Sequence, residues 1–453
     1  MASQTTTLSQ IAPSFGGELL QPSDSGYDDA RRVHNGLVDK RPAIVARCRG
    51  LADVADAVKL ARALKLDVSV RGGGHNVAGR CTIDGGVMID LSPMKGIHVD
   101  AEARTARAQG GVLWKELNRE TQVYGLATTG GVVGSTGIAG LTLGGGVGWL
   151  MPKYGLALDN LRSADMVLAD GSLVRASVDE NPDLFWAIRG GGSNFGIAAS
   201  LEYKLHQVGP MITGGLAAWP LAKARDVLRL FRDQCASAPD ELMLAAGLLS
   251  APDGSGAKLN GVLAAHCGSM ADGEACVKPF KAFGPVMDAL GPIPYCAHNG
   301  LLDGAFPKGA LNYWKAQFIT DLSDDVIKKL VARFESCSSP MSQIVIEHFH
   351  GAASRVPLNA TACAMRITGF NVVIISQWSD PRESARHTAW CRETYSALTP
   401  HLAPTRYVNY LEDDPGSDPA AVVYGANYGR LRELKKKFDP DNFFHTNVNV
   451  KPV

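Results

Sequence analysis

Residues 71–79 read RGGGHNVAG. Three successive glycines deliver the chain directly onto a histidine. The stretch before them, GLADVADAVKLARALKLDVSV (50–70), places Val54, Val58, Leu60, Ala61 and Leu64 on one face of a helix and ends in a short strand, DVSV. Glycine is needed where φ is positive or where backbone must approach a ligand closely. A row of such residues offers several N–H groups that can converge on an anion such as a pyrophosphate.

The same texture returns twice, in GGVVGSTGIAGLTLGGGVGW (130–149) and RGGGSNFG (189–196). Between the clusters, GGVMIDLS reads as a strand, and TARAQGGVLWKELNRETQVYG as a strand, a glycine turn and a helix. DMVLADGSLVRAS reads as two β runs around an Asp170–Gly171 hairpin signal. Any one cluster reads equally well as a tight turn; three between residues 71 and 196 favour a cradle. Two familiar cradles fail on spacing. Gly144, Gly145, Gly146 and Gly148 do not make G-x-G-x-x-G, and Phe195 stands where the last glycine of RGGGSNFG would be. No G-K-[ST] follows a cluster, so a Walker A loop is absent. His75 is left with three readings: a hydrogen-bonded structural residue, a base, or a nucleophile toward a cofactor. No second ligand stands at metal-binding spacing, so no metal is expected.

The chain of 453 residues has room for two or three domains. Lys+Arg and Asp+Glu are 45 each, which gives no electrostatic case for nucleic acid or an anionic membrane surface. No apolar run reaches about 18 residues, so no membrane helix is expected. MASQTTTLSQIAPSF has neither a basic nor an apolar signal region. Nine scattered cysteines without a CxxC pair point to free thiols in a reducing compartment, and so to the cytoplasm.

Around Val208–Gly209–Pro210 the texture changes. LAAWPLAKARDVLRLFRDQ reads as a helix, MLAAGLLS and GVLAAHC as strands, VIKKLVARFES as a helix, and QIVIEHFHG and GFNVVIISQW as strands. This is an antiparallel sheet backed by helices. The tail, GRLRELKKKFDPDNFFHTNVNVKPV, reads as a basic helix, a turn and a short strand.

Taken in order, RGGGHNVAG, GGVMIDLSPMKGIHVD, GSTGIAGLTLGGGVGWLMPKYGLALDN, DLFWAIRGGGSNFGI and LKKKFDPDNFFHTNVNVKP resemble the FAD-linked oxidases of the vanillyl-alcohol oxidase superfamily. More closely, they resemble the berberine bridge enzyme-like and 6-hydroxynicotine oxidase group. The resemblance implies an α+β fold: a two-part PCMH-type FAD-binding domain (1–208), an antiparallel-sheet substrate domain backed by helices (209–415), and a C-terminal segment (416–453) returning to the FAD domain. It implies an 8α-histidyl bond from His75 to the flavin. The second, cysteinyl link of many relatives would fall on Val133, so a single attachment is expected. Around His75 the motif match implies cofactor contacts from Arg71, Gly72, Gly73, Gly74, Asn76, Ala78 and Gly79. In the central cluster it implies Gly130, Gly131, Val133, Ser135, Thr136, Gly137, Gly140, Leu141, Gly145, Gly146 and Gly148. Further along it implies Tyr154, Gly155, Asp159, Asn160, Gly196, Ile197, Asn447 and Asn449.

On the substrate side, the family's Y-x-N-Y segment is matched by Tyr407, Asn409 and Tyr410. Strand alternation puts Tyr407 and Asn409 on one face and Tyr410 on the other. The motif match favours Tyr410 as base, a role that needs its pKa of about 10 lowered. A glutamate found in some relatives seven residues before the strand's tryptophan is Asn371 here, seven before Trp378, leaving that residue to orient substrate. In IEHFHG, alternation sets His348 and His350 against Glu347 and Phe349; either face could line the pocket, and surface histidines are the plain reading. The resemblance places Thr136 near the flavin face, where a short residue, as in the oxidase members, implies an oxidase over a dehydrogenase. The implied reaction is hydride transfer from a small aromatic, phenolic or alkaloid-like substrate to flavin, with O2 as the second partner and H2O2 as product, in secondary metabolism; a dehydrogenase, a sugar oxidase and a non-catalytic flavin carrier are the alternatives. A homodimer is compatible with this reading.

Overall fold

The computed structural model describes residues 14–412 and 418–453. The reading of the first residues as lacking a signal, and the boundary at 415/416, fall outside the described residues. The first sheet holds β1 (Glu18–Leu20), β2 (Ile44–Arg47), β3 (Val68–Arg71) and β4 (Val87–Asp90) in the order β1-β2-β4-β3. β2 and β3 both run parallel to β4, which they flank. The crossover between them is the helix Leu51–Leu64, whose Val54, Val58, Leu60 and Ala61 are buried against Ile44, Ala46, Val87 and Ile89. This is why the helix pattern precedes the glycines: the parallel unit aims the end of β3, and residues 72–75 after it, at the carboxyl edge of the sheet, where open α/β sheets bind ligands.

The second sheet is antiparallel, with β5 (Ile97–Asp100), β6 (Thr105–Gln109), β8 (Leu161–Val167), β9 (Leu173–Ser177) and β10 (Ile197–Lys204) in the order β5-β6-β10-β8-β9. β8 and β9 are joined at Asp170–Gly171, where Gly171 takes φ +81°. The helix Trp114–Gln122 follows the Gly110–Gly111 turn after β6. A short pair, β7 (Leu126–Ala127) with β11 (His206–Gln207), closes this half.

The second half forms an eight-stranded sheet. β12 (Met211–Pro220), β13 (Leu242–Ser250), β14 (Lys258–His266), β15 (Met287–Asp288), β17 (Leu311–Ile319), β18 (Gln343–Phe349) and β19 (Gly369–Trp378) run β15-β12-β14-β13-β18-β19-β17, with β16 (Gly291–Pro294) also on β12. LAAWP, expected to open a helix, is the end of β12; the helix begins only at Ala224, and Pro220 closes the strand at a position where its missing N–H costs no ladder bond. Strand alternation divides the sheet cleanly. Leu242, Leu244, Ala246 and Leu248 of β13, Ile344 and Ile346 of β18, and Phe370, Val372 and Ile374 of β19 pack beneath the helices Ala224–Cys235, Asp324–Glu335 and Ser384–Leu398. The intervening residues face the glycine-rich half.

The tail contains the expected helix, Tyr428–Phe438, but the strand expected after it does not form. Asn194 takes the place of a partner strand: its Nδ2 donates to Val448 O (3.1 Å) and its Oδ1 accepts from Val450 N (3.0 Å). Lys435, fully buried, donates to Asp439 Oδ2 (2.6 Å), Asn194 O (2.6 Å) and Phe444 O (2.9 Å).

Candidate active site

One cavity runs from the glycine loops to the open face of the large sheet. At its first wall, Gly72, Gly73, Gly74, His75 and Asn76 line it, while the Arg71 side chain turns away to Asp90 (Nε to Oδ1, 2.9 Å) and to Arg32 O (3.0 Å), bracing the loop from behind. A Cβ on Gly73 would collide with the backbone of Gly137, so the two glycine loops touch back to back. The N–H groups of Gly73, Gly74, His75 and Asn76 donate to no protein acceptor among the described residues. Buried or half-buried backbone donors ordinarily find a partner. Four in succession make a nest suited to an anion.

His75 Nε2 lies 2.8 Å from Ser135 Oγ, and the His75 ring stacks on His34 at 3.8 Å between centroids, 24° from parallel. Burial pulls the His75 pKa down to about 3 and that of His34 to about 4, so both rings are neutral.

The second wall is Gly131, Val132, Val133, Thr136, Gly137, Gly140 and Leu141, around the start of the helix Ile138–Gly144. Gly130 and Gly148 stand behind it, pressed against Trp114 and against each other. Gly145 and Gly146 lie beneath Tyr407. Several residues expected at the cofactor are outside the lining. Tyr154 stacks on His206 (3.9 Å), Gly155 packs on Asp159, Asp159 holds Arg366 through both oxygens (2.7 and 2.8 Å), and Asn160 bonds Tyr154 O and Leu156 O. These four form a polar knot behind the site. Ala78, Gly79, Gly196, Ile197 and Asn449 are also off the cavity surface, whereas Asn447 is on it, bonded to Ser193 Oγ (2.9 Å).

The segment expected as a strand at Tyr407–Tyr410 is a 3-10 turn, Val408–Tyr410. A three-residue repeat puts positions i and i+3 on the same side. The two tyrosine rings therefore meet (4.8 Å, 72°) instead of facing apart. Tyr407 Oη accepts from Gly146 N (3.0 Å) and from Asn409 Nδ2 (2.8 Å), tying the turn to the glycine loop. Tyr410 donates to Glu347 Oε1 (3.1 Å). Burial, then the neighbouring Glu347, raise the Tyr410 pKa well above its ordinary value, the opposite of what a tyrosine base needs.

Glu347 is the ionisable side chain that the large sheet contributes to the cavity lining. β18 pairs it directly with Asn371 of β19, whose Nδ2 donates to Glu347 Oε2 (2.8 Å). Asn371 is fully buried behind the carboxylate and does not line the cavity. Burial pushes the Glu347 pKa up to about 7, with the bonds from Asn371 and Tyr410 opposing. His348 and His350 are on the other face, stacked on one another (4.3 Å) and buried, not at the surface; His350 Nε2 bonds Leu242 O (3.0 Å). The signal for Glu347 was in the sequence: a lone carboxylate in a strand otherwise apolar enough to be central. Trp314 and Phe306, unremarked in the sequence, complete an aromatic wall with Tyr410 (Trp314–Tyr410 6.0 Å, Phe306–Trp314 5.8 Å).

Residues 42–177 match the model of an FAD binding domain, and residues 406–451 the model described as berberine and berberine like. The chain is 31% identical to (R)-6-hydroxynicotine oxidase of Paenarthrobacter nicotinovorans over 97% of each chain. The chain belongs to the berberine bridge enzyme-like family of FAD-linked oxidoreductases. An FAD-linked oxidoreductase of Dictyostelium discoideum is 28% identical over 99% of this chain and 98% of its own. The solved structure of 6-hydroxy-D-nicotine oxidase from Arthrobacter nicotinovorans superposes with a TM-score of 0.89 at 30% identity, covering 97% of this chain and 99% of that one. Chitooligosaccharide oxidase shares the fold at 0.85, with 23% identity and 99% of both chains covered.

This berberine bridge enzyme-like oxidoreductase binds FAD, and the cavity fits it: an anion nest over residues 73–76, glycine loops in backbone contact, and a long passage from nest to sheet. The berberine-like match holds both the Tyr407–Tyr410 turn and Asn447, so both ends of the cavity draw on it.

Proposed function

We propose that the chain is an oxidase that carries FAD on a single bond to His75 and oxidises a C–H bond beside an N–H or O–H group of a small, flat, aromatic substrate. The observation that carries this reading is Glu347: a carboxylate with a pKa near 7, set in an apolar sheet face and held by a phenol and an amide. A general base works best with its pKa near the operating pH. Glu347 Oε1 takes the proton of the substrate's X–H group as the neighbouring C–H bond breaks. Tyr410 and Asn371 fix the carboxylate's rotamer, and the apolar wall keeps water away. FAD, when bound, would supply the two-electron acceptor, with dioxygen as the final oxidant and hydrogen peroxide as the product.

The lining favours an aromatic substrate over a sugar. Beside Glu347, Gln343 and Asn312, the sheet presents Leu216, Met243, Leu263, Val345, Val373 and Ile375, which offer no partner to a ring of hydroxyls, while Trp314, Phe306 and Tyr410 offer faces for a flat ring. Similarity to a relative named for 6-hydroxynicotine supports the same class. Thr136, on the cavity wall, supports oxygen use through its small size. The test is a panel of hydroxylated and aminated aromatics alongside mono- and oligosaccharides, scored by peroxide formation. Turnover of an aromatic member is expected; turnover of saccharides alone would overturn the assignment.

A further inference from the structure

We propose that His34 is a positioning residue for the covalent attachment of FAD to His75, its ring serving as the plate against which the attacking imidazole is held; this rests on the reading of His75 as the attachment site. His34 is fixed on both sides of its backbone. Its N–H donates to Gly74 O (2.9 Å), the carbonyl immediately before His75, and its own carbonyl accepts from Gly309 N (2.9 Å). Its ring covers one face of the His75 ring at 3.8 Å. The His75 edge is fixed separately, through Nε2 and Ser135 Oγ. An imidazole has a broad, two-fold terminal torsion; a face contact and an edge contact together remove that freedom. Among the described residues Nδ1 has no protein partner, so it is the nitrogen left to attack.

The chemistry explains why a plate matters. A C–N bond forms between Nδ1 and the carbon of the flavin's 8-methyl group. One proton leaves that methyl group for solvent, and one leaves Nε2 along its hydrogen bond to Ser135 Oγ, whose own hydroxyl proton passes on to solvent. The two electrons released reduce the flavin ring, and dioxygen then takes them with the two protons to give hydrogen peroxide. The attack needs a neutral imidazole held at one angle. Orientation of this kind is worth orders of magnitude in effective molarity. Burial keeps the His75 ring neutral.

The test follows attachment, not turnover. Wild type, His34→Ala, His34→Phe and His75→Ala would be purified as flavoproteins. Total flavin would be read from native absorbance, and attached flavin from the share that precipitates with the polypeptide in acid, sampled over time. Wild type should be fully attached and His75→Ala not at all. His34→Ala should keep its native flavin but attach it at least tenfold more slowly, and His34→Phe, which restores a stacking ring, should recover most of the rate. Attachment in His34→Ala at the wild-type rate would overturn the proposal, as would a His34→Phe variant no faster than His34→Ala, or a His34→Ala variant holding no flavin at all. Release of flavin from wild type would instead overturn the reading of His75, a different result from any of these.

Discussion

Buried carboxylates are rare unless a cation accompanies them, and Glu347 is held by a phenol and an amide. Its pKa near 7 has two consequences with opposite slopes. For activity, the proposed base is the deprotonated form, so kcat/KM should rise with pH through about 7. Glu347→Gln should lower kcat roughly 100-fold to 10,000-fold, the range of general-base catalysis, and flatten that profile. For stability, the folded pKa lies above the ordinary 4.5, so the contribution is fully present below that value and is lost as pH rises through about 7. Glu347→Gln should therefore unfold with a flatter dependence on pH between those values than wild type, as denaturant titrations would read. The sequence comparison puts this carboxylate's place at Asn371, an amide; the acid stands directly across the ladder. Pairing register is not visible in one strand read alone, and that is why the two halves of the dyad are not joined by sequence.

The Tyr407–Tyr410 turn shows what element-scale reading can miss. Alternation is the natural rule for TRYVNY, but the same letters fit a three-residue repeat. The deciding contacts to Tyr407 Oη come from Gly146, 261 residues away in sequence, and from Asn409 within the turn itself. Tyr407→Phe leaves the buried Gly146 N–H without its acceptor. A loss of about 1–3 kcal/mol is expected, measurable as a lowered unfolding midpoint, with a smaller share of the isolated protein carrying flavin because the turn no longer grips the glycine loop before attachment. Gly73→Ala acts at the other contact: the new methyl meets the Gly137 backbone, and the holoprotein should be isolated with little flavin. By contrast, the helix Leu51–Leu64 and β3 were legible, because a 3.6-residue apolar period and a glycine stop are local signals.

Across the whole molecule, the cavity is a seam. Its nest belongs to the parallel sheet, its floor to the eight-stranded sheet, and its rim takes in Asn447 from the tail. The tail is held by Asn194 and by the buried Lys435–Asp439 pair. Removing one partner of such a pair is costly, typically about 3–5 kcal/mol. Lys435→Met should accordingly depress the unfolding midpoint strongly, and hydrogen exchange should report early opening of residues 445–450. The fold class was legible from ordered glycine clusters together with the family resemblance; the seam was not, since its contacts join residues far apart in the chain. In the proposed reaction the glycine nest and Glu347 serve one cavity, in which an aromatic substrate loses hydride to bound flavin. The most direct test is anaerobic mixing of the holoprotein with the aromatic panel while the oxidised flavin absorbance is followed. A member of the panel should bleach the flavin faster as pH rises through about 7, with Glu347→Gln slow at every pH. Bleaching by wild type and Glu347→Gln at equal, pH-independent rates would contradict that reaction.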